Sequence, residues 1–161
     1  MSTTPRSTPI RHNEYVPDPS PTAGHLQTEV RDAVRDAAIR AAVAVGLGGI
    51  VVIHAIDAVN RWSETRYIFW LYMALIVSAI VVGAWTLASR SRASLLAAGG
   101  LAASVLAGYI VNRSVGLPNA TGDIGNWVEP VGLSSMVVEG MVILAALGGA
   151  RLAGQPAAPA S

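Results

Sequence analysis

Four segments of the chain are each apolar over roughly the 20 residues that a helix needs to cross the hydrocarbon core of a bilayer. They run over about 41–60, 67–88, 93–112 and 129–150. The third carries no formal charge, and the fourth holds Glu139 inside it. Too little amphipathic surface is left to cover four such helices in water. Only 13% of the 161 residues are charged, about half the ~25% of soluble domains, and the mean hydropathy is +0.48. Unpaired backbone groups in lipid cost several kcal/mol each, so the spans must be helices. The expected fold is an all-α membrane protein, a four-transmembrane-helix up-down-up-down bundle with short turns at 61–66 and 89–92.

Four regions follow from this layout. Residues 1–24 are polar, contain Pro5, Pro9, Pro17, Pro19 and Pro21, and lack the apolar stretch of a signal peptide. They read as a disordered cytoplasmic tail, which leaves the first span to act as its own insertion signal. Residues 25–40 form a juxtamembrane helix, with Leu26, Val30, Val34 and Ala37 at helical spacing. Asp32/Arg35 and Asp36/Arg40 are acid-before-base pairs that support it. It is either an extension of the first span or a helix lying along the surface. Residues 41–152 form the transmembrane domain, and 153–161 a second disordered tail.

Every basic side chain other than histidine is an arginine, and the arginines set the orientation. Arg31, Arg35, Arg40, Arg90, Arg92 and Arg151 fall on one side of the spans, and Arg61, Arg66 and Arg113 on the other. The richer side is cytoplasmic by the positive-inside rule. This predicts a multi-pass protein of the cell membrane with both termini in the cytoplasm. Trp62, Tyr67, Trp70, Tyr72, Tyr109 and Trp127 then sit near the outer interface and Trp85 near the inner one.

Lipid offers no hydrophobic drive for helix association, so small residues and polar contacts must supply it. The third span offers Gly100, Ser104 and Gly108, flanked by Gly99, Ala103 and Ala107. The first offers Ala44 and Gly48 beside Ala42 and Gly46, and the fourth Gly132, Gly140, Gly148 and Gly149. Such stripes serve packing within the chain or association with a second copy or another membrane protein. The partners expected are therefore the bilayer and such proteins. A net charge of +1 excludes nucleic-acid binding driven by bulk charge.

Ionisable groups at membrane depth are costly and need partners or water. His54 and Asp57 share a face of the first span, with Arg61 one turn further on. Tyr109, Asn112 and Arg113 end the third span, and Glu129, Gly132, Ser135 and Glu139 occupy one arc of the fourth. At 1.5 Å per residue, Glu139 lies about 15 Å deep and His54 about 9 Å deep. These residues predict either an outward-opening polar pocket or a closed network. The pocket is floored by Glu139, walled by His54, Asp57 and Arg113, and includes Glu129 and Ser135. In the closed network the same groups lock the helices together, with Glu139 bonded to a serine. The pocket makes Glu139 a candidate proton carrier or cation ligand. No metal or cofactor is expected, since the chain has no cysteine and His54 is the sole histidine in the spans.

The 113–128 connection carries Gly116, Pro118, Asn119, Gly122 and Gly125. Asp123 is expected to cap a short turn leading into Asn126 and Trp127, and Pro130 to open the fourth span. The stretch is either a lid over the pocket or a plain connection. Gly116-Leu117-Pro118, Gly122-Asp123-Ile124-Gly125-Asn126-Trp127, Glu129-Pro130-Val131-Gly132-Leu133 and Val138-Glu139-Gly140 resemble small four-span integral membrane proteins of high-GC actinobacteria. His54-Ala55-Ile56-Asp57 and Glu64-Thr65-Arg66-Tyr67 are similar to the same group. The resemblance covers roughly 40–150 and implies a layout without an activity.

Two functional classes follow. One is a membrane component without catalytic activity: an accessory, partner-binding or oligomeric protein. The alternative is a proton- or cation-linked transport or sensing protein using the pocket around Glu139 and His54. A transporter is expected to need an oligomer, because four helices enclose little space. No Gly-rich phosphate loop or paired-histidine motif supports an enzyme.

Overall fold

The computed structural model describes residues 23–154, without the side chains of Asn60 and Glu64. The tails expected at 1–24 and 153–161 lie outside it, except for two residues at each inner edge. Of those, Ala23 and Gly24 already belong to a helix. The described chain forms α1 (Ala23–Glu64), α2 (Arg66–Ala88), α3 (Arg92–Ser114) and α4 (Pro130–Leu152). The last three have 23 residues each, about 34 Å at 1.5 Å per residue, against a hydrocarbon core of about 30 Å. All four helices are long and apolar enough to span a bilayer. The molecule is a multi-pass integral membrane protein with a helical core.

The juxtamembrane segment and the first span are one continuous helix. No proline or glycine interrupts the chain between Gly24 and Gly46, and alanine and arginine are strong helix formers. The first turns of α1 leave Leu26, Val30 and Val34 exposed. At the other end, the turn expected over 61–66 is a single residue, Thr65, between α1 and α2.

Each helix packs on two neighbours around a ring, α1 on α2 and α4, and α3 on α2 and α4. Asp57 meets Tyr72 and Arg40 meets Ser89, so α1 and α2 run in opposite directions. The core draws on every helix. It contains Val43, Leu47 and Ile50 of α1, Ala79 of α2, Leu95, Ala98 and Ala102 of α3, and Val142, Ala146 and Ala150 of α4. Large apolar side chains point outward instead, among them Val45, Trp70, Ile80 and Leu144.

Small residues allow the close approaches, but only some of those expected do so. A Cβ on Gly46 would run into Val142, one on Gly49 would lie 3.2 Å from Val138, and one on Gly149 would lie 2.7 Å from Ile39. Gly99 faces Ala146 at 3.3 Å in the same sense. Gly48, Gly100, Gly108, Gly140 and Gly148 have nothing within 4 Å at that position. On α1 and α3 the packing stripe is thus displaced by one or two residues from the expected one. The bulky residues Leu47, Ile50 and Leu95 decide which face turns inward, and the neighbouring glycines follow them.

The end of the bundle near Ser89 is locked by Arg40, which is 4% exposed. Its Nε donates to both carboxylate oxygens of Asp36, at 3.0 and 2.9 Å. Its Nη1 donates to the Ser89 carbonyl at 2.7 Å and to Ser94 Oγ at 3.2 Å. Ser91 Oγ caps α3 by accepting from the Ser94 amide at 3.2 Å. A side chain counted by sequence as an orienting charge is therefore also a tie across the α2–α3 turn.

Candidate pocket around Glu139

At the opposite end, where Thr65 joins α1 to α2 and residues 115–129 join α3 to α4, the bundle holds a cavity of about 430 Å³. All four helices and the connection line it. A single copy thus encloses more space than expected of four helices. The reason lies in the α2–α3 seam, the thinnest of the ring, where Ser104 and Gly108 leave room. Ile68, Leu71 and Leu75 of α2 and Leu101 and Val105 of α3 form apolar walls. His54, Asp57, Arg113, Glu129, Ser135 and Glu139 all line the cavity, as does Asp123.

Glu139 is fully buried. Gly132, Ser135 and Glu139 recur three and four residues apart on α4, which places them on the inward face. Ser135 donates its hydroxyl to Glu139 Oε1 at 2.6 Å, while Oε2 is buried without a hydrogen-bond partner. No arginine among the described residues forms an ion pair with Glu139. His54 of α1 is the other buried ionisable group at this depth. Its Nδ1 lies 2.9 Å from the Ile50 carbonyl. A carbonyl only accepts, so Nδ1 carries the hydrogen and donates to it. The Tyr72 ring meets His54 edge-on at 5.1 Å, and its hydroxyl donates to Asp57 Oδ2 at 2.7 Å.

A denser network closes the rim. Arg61 reaches Asp57 at 3.7 Å and Asp123 at 3.2 Å. Arg113, 5% exposed, pairs with Asp123 at 3.1 Å and with Glu129. Asn112 donates to Asp123 Oδ2 at 3.1 Å. Partial burial alone would raise the Asp123 carboxyl. The Asn112 hydrogen bond and the two guanidinium groups outweigh it and hold Asp123 below the ordinary carboxylate range. The Arg113 guanidinium also sits 5.2 Å from the centre of the Tyr109 ring. That ring fills the space above Gly132, where a Cβ would lie 2.7 Å from it.

The connection folds back over this rim. Pro118 and Asn119 form a tight turn closed by the Ala120 amide on the Leu117 carbonyl at 2.9 Å. Asn119 takes a φ of +57°, which asparagine tolerates. Tyr67 Oη donates to the Pro118 carbonyl at 2.6 Å, and the Gly125 amide to the Arg113 carbonyl at 2.9 Å. Asp123 departs from its expected role as a turn cap. Its carboxylate turns to Arg61, Arg113 and Asn112, because two guanidinium groups outbid a backbone amide. Asn126 and Trp127 are exposed and do not line the cavity; Trp127 instead contacts Tyr109, with ring centres 6.2 Å apart.

The sequence places Tyr72 near the outer interface, and the fold also makes it a wall of the cavity. Nothing in its spacing separates the two roles, since both put a tyrosine near the end of a span. Among the described residues, no three of His, Asp or Glu gather as a metal site. The arrangement is suited to holding a positive charge or a proton at Glu139, behind a rim whose own charges are paired. No family model, no curated protein and no solved structure matches the chain.

Proposed function

We propose that this membrane protein carries a proton or small cation through the pocket floored by Glu139, without a catalytic step. One observation supports the reading above the others: a fully buried carboxyl lines a cavity with one oxygen unpartnered. An unpaired polar atom in a low-dielectric interior is costly, and a proton or cation taken up on that oxygen would relieve the cost. In this reading the chain threads the bilayer up-down-up-down, both termini are cytoplasmic and the pocket opens outward. The arginine distribution supports that orientation. The rim charges steer and the Glu139 floor binds.

A second reading, an accessory or oligomeric membrane component, draws support from the open glycines. Gly48, Gly100, Gly140 and Gly148 have free space where a second helix backbone fits closely.

Liposomes with a trapped pH-sensitive dye separate the two. Wild type relaxes an imposed pH gradient faster than protein-free liposomes, Glu139→Gln abolishes the excess, and His54→Ala reduces it. Equal relaxation by wild type and a folded Glu139→Gln overturns the carrier reading. Loss of the oligomer in Glu139→Gln, with no flux in wild type, favours the accessory reading.

A further inference from the structure

We propose that the pocket takes an organic cation: a protonated amine with an apolar body, its ammonium on Glu139 and its body against α2 and α3. The proposal rests on the Glu139 pocket being the working site. Charge balance is the first argument. Of the four carboxylates lining the cavity, Asp57, Asp123 and Glu129 are engaged by Arg61 and Arg113 at the rim. Glu139 alone has no guanidinium partner there. A ligand that brings a positive charge and an N–H completes both the charge and the unpartnered Oε2. An anion would meet arginines already taken.

Size and lining are the second argument. A bare metal ion needs a ring of oxygen or nitrogen donors. A space of about 430 Å³ equals on the order of a dozen waters and lies within the range of pockets for organic ligands. Leu71, Leu75, Leu101 and Val105 give an apolar body a surface to leave water for. Tyr72 and Tyr109 also line the cavity, and the face of an aromatic ring attracts a cation. A polar inorganic ion would leave those walls unused.

The test uses the wild-type protein in lipid nanodiscs and reads how fast dicyclohexylcarbodiimide, a carboxyl reagent, labels Glu139. Trypsin then yields the peptide 114–151, on which fragmentation locates the label. The probes are N,N-dimethylphenethylamine, a tertiary amine that the reagent does not consume, and its uncharged carbon isostere 3-methylbutylbenzene. The amine is expected to slow labelling roughly tenfold, the scale of a charge-assisted contact, and the isostere to leave it nearly unchanged. Equal protection by both probes overturns the cation assignment in favour of an apolar ligand. Labelling that neither probe slows also overturns it, while leaving Glu139 reachable and the carrier reading intact. A Glu139 that stays unlabelled in nanodiscs but reacts in the unfolded chain overturns the pocket reading itself, and the proposal with it.

Discussion

Ser135 and Glu139 face each other one turn apart on α4, and the serine hydroxyl donates to Oε1 at 2.6 Å while Oε2 has no hydrogen-bond partner. Half of the carboxyl is anchored to its own helix and half is left for something else. Ser135→Ala should cost about 1 kcal/mol, the net worth of one hydrogen bond. Glu139→Gln keeps the shape and an acceptor for Ser135 while removing an unpaired buried acid, so it should unfold in detergent at the same temperature as wild type or higher. A cooperative collapse in Glu139→Gln would instead mark a structural lock.

Arg113 holds two carboxylates at once, Asp123 and Glu129. Arg113→Ala leaves both without that partner and should cost roughly 2 kcal/mol in detergent unfolding, because they are only partly buried. Arg113→Lys should recover less than half of the loss, since an ammonium is a point charge and cannot fork to both.

Asp123 is held below the ordinary carboxylate range by Asn112, Arg61 and Arg113 against the opposing effect of partial burial. A depressed folded-state value adds stability above the unfolded value of about 3.9, and that stability is lost as pH falls through the folded value. Wild type should therefore lose stability below about pH 4, and Asp123→Asn should flatten that part of the curve. Unfolding midpoints measured across the acid range check this.

Two glycines of α4 should respond in opposite ways. Gly132→Ala pushes a methyl into the Tyr109 ring, 2.7 Å away. The ring also packs on Arg113, so the change should cost about 1–3 kcal/mol by overpacking. Gly140→Ala meets nothing within 4 Å and should be neutral or gain up to about 1 kcal/mol from helix propensity. If Gly140→Ala breaks an oligomer seen by native mass spectrometry, the open glycines are an association face.

At the far end, Arg40→Ala removes the donor that satisfies the Ser89 carbonyl and Ser94 Oγ. The part-buried Ser89 carbonyl then loses this donor and the buried Ser94 Oγ keeps only its bond to the Ser91 carbonyl, so the loss should be about 2 kcal/mol, with faster proteolysis at the 89–91 turn as its signature.

The spans were legible because length and apolarity alone decide them: α2, α3 and α4 each begin and end within a few residues of the apolar segments. Which residues gather in the pocket was legible too, since His54, Asp57, Ser135 and Glu139 are polar where lipid tolerates none. The helix faces were harder. Gly48 and Gly49 are neighbours in sequence, yet one is open and the other touches Val138. That choice is made by the large side chains on the opposing helix, which no single-helix pattern contains. Arg40 illustrates the same limit. As a charge near a span end it reads as an orientation signal, and only the fold brings Ser89 and Ser94 within reach of its guanidinium. The cavity itself depends on how far α2 stands from α3, a distance set by tertiary packing.

The most direct test of the Glu139 pocket is infrared difference spectroscopy on membranes of wild type and Glu139→Gln, stepped in pH between about 4 and 10. The account predicts a carboxyl C=O band that grows and fades reversibly with pH in wild type and is missing from Glu139→Gln, because a carrier must exchange the Glu139 proton with solution. Identical difference spectra for the two proteins would mean that Glu139 exchanges no proton with either side, and would contradict it.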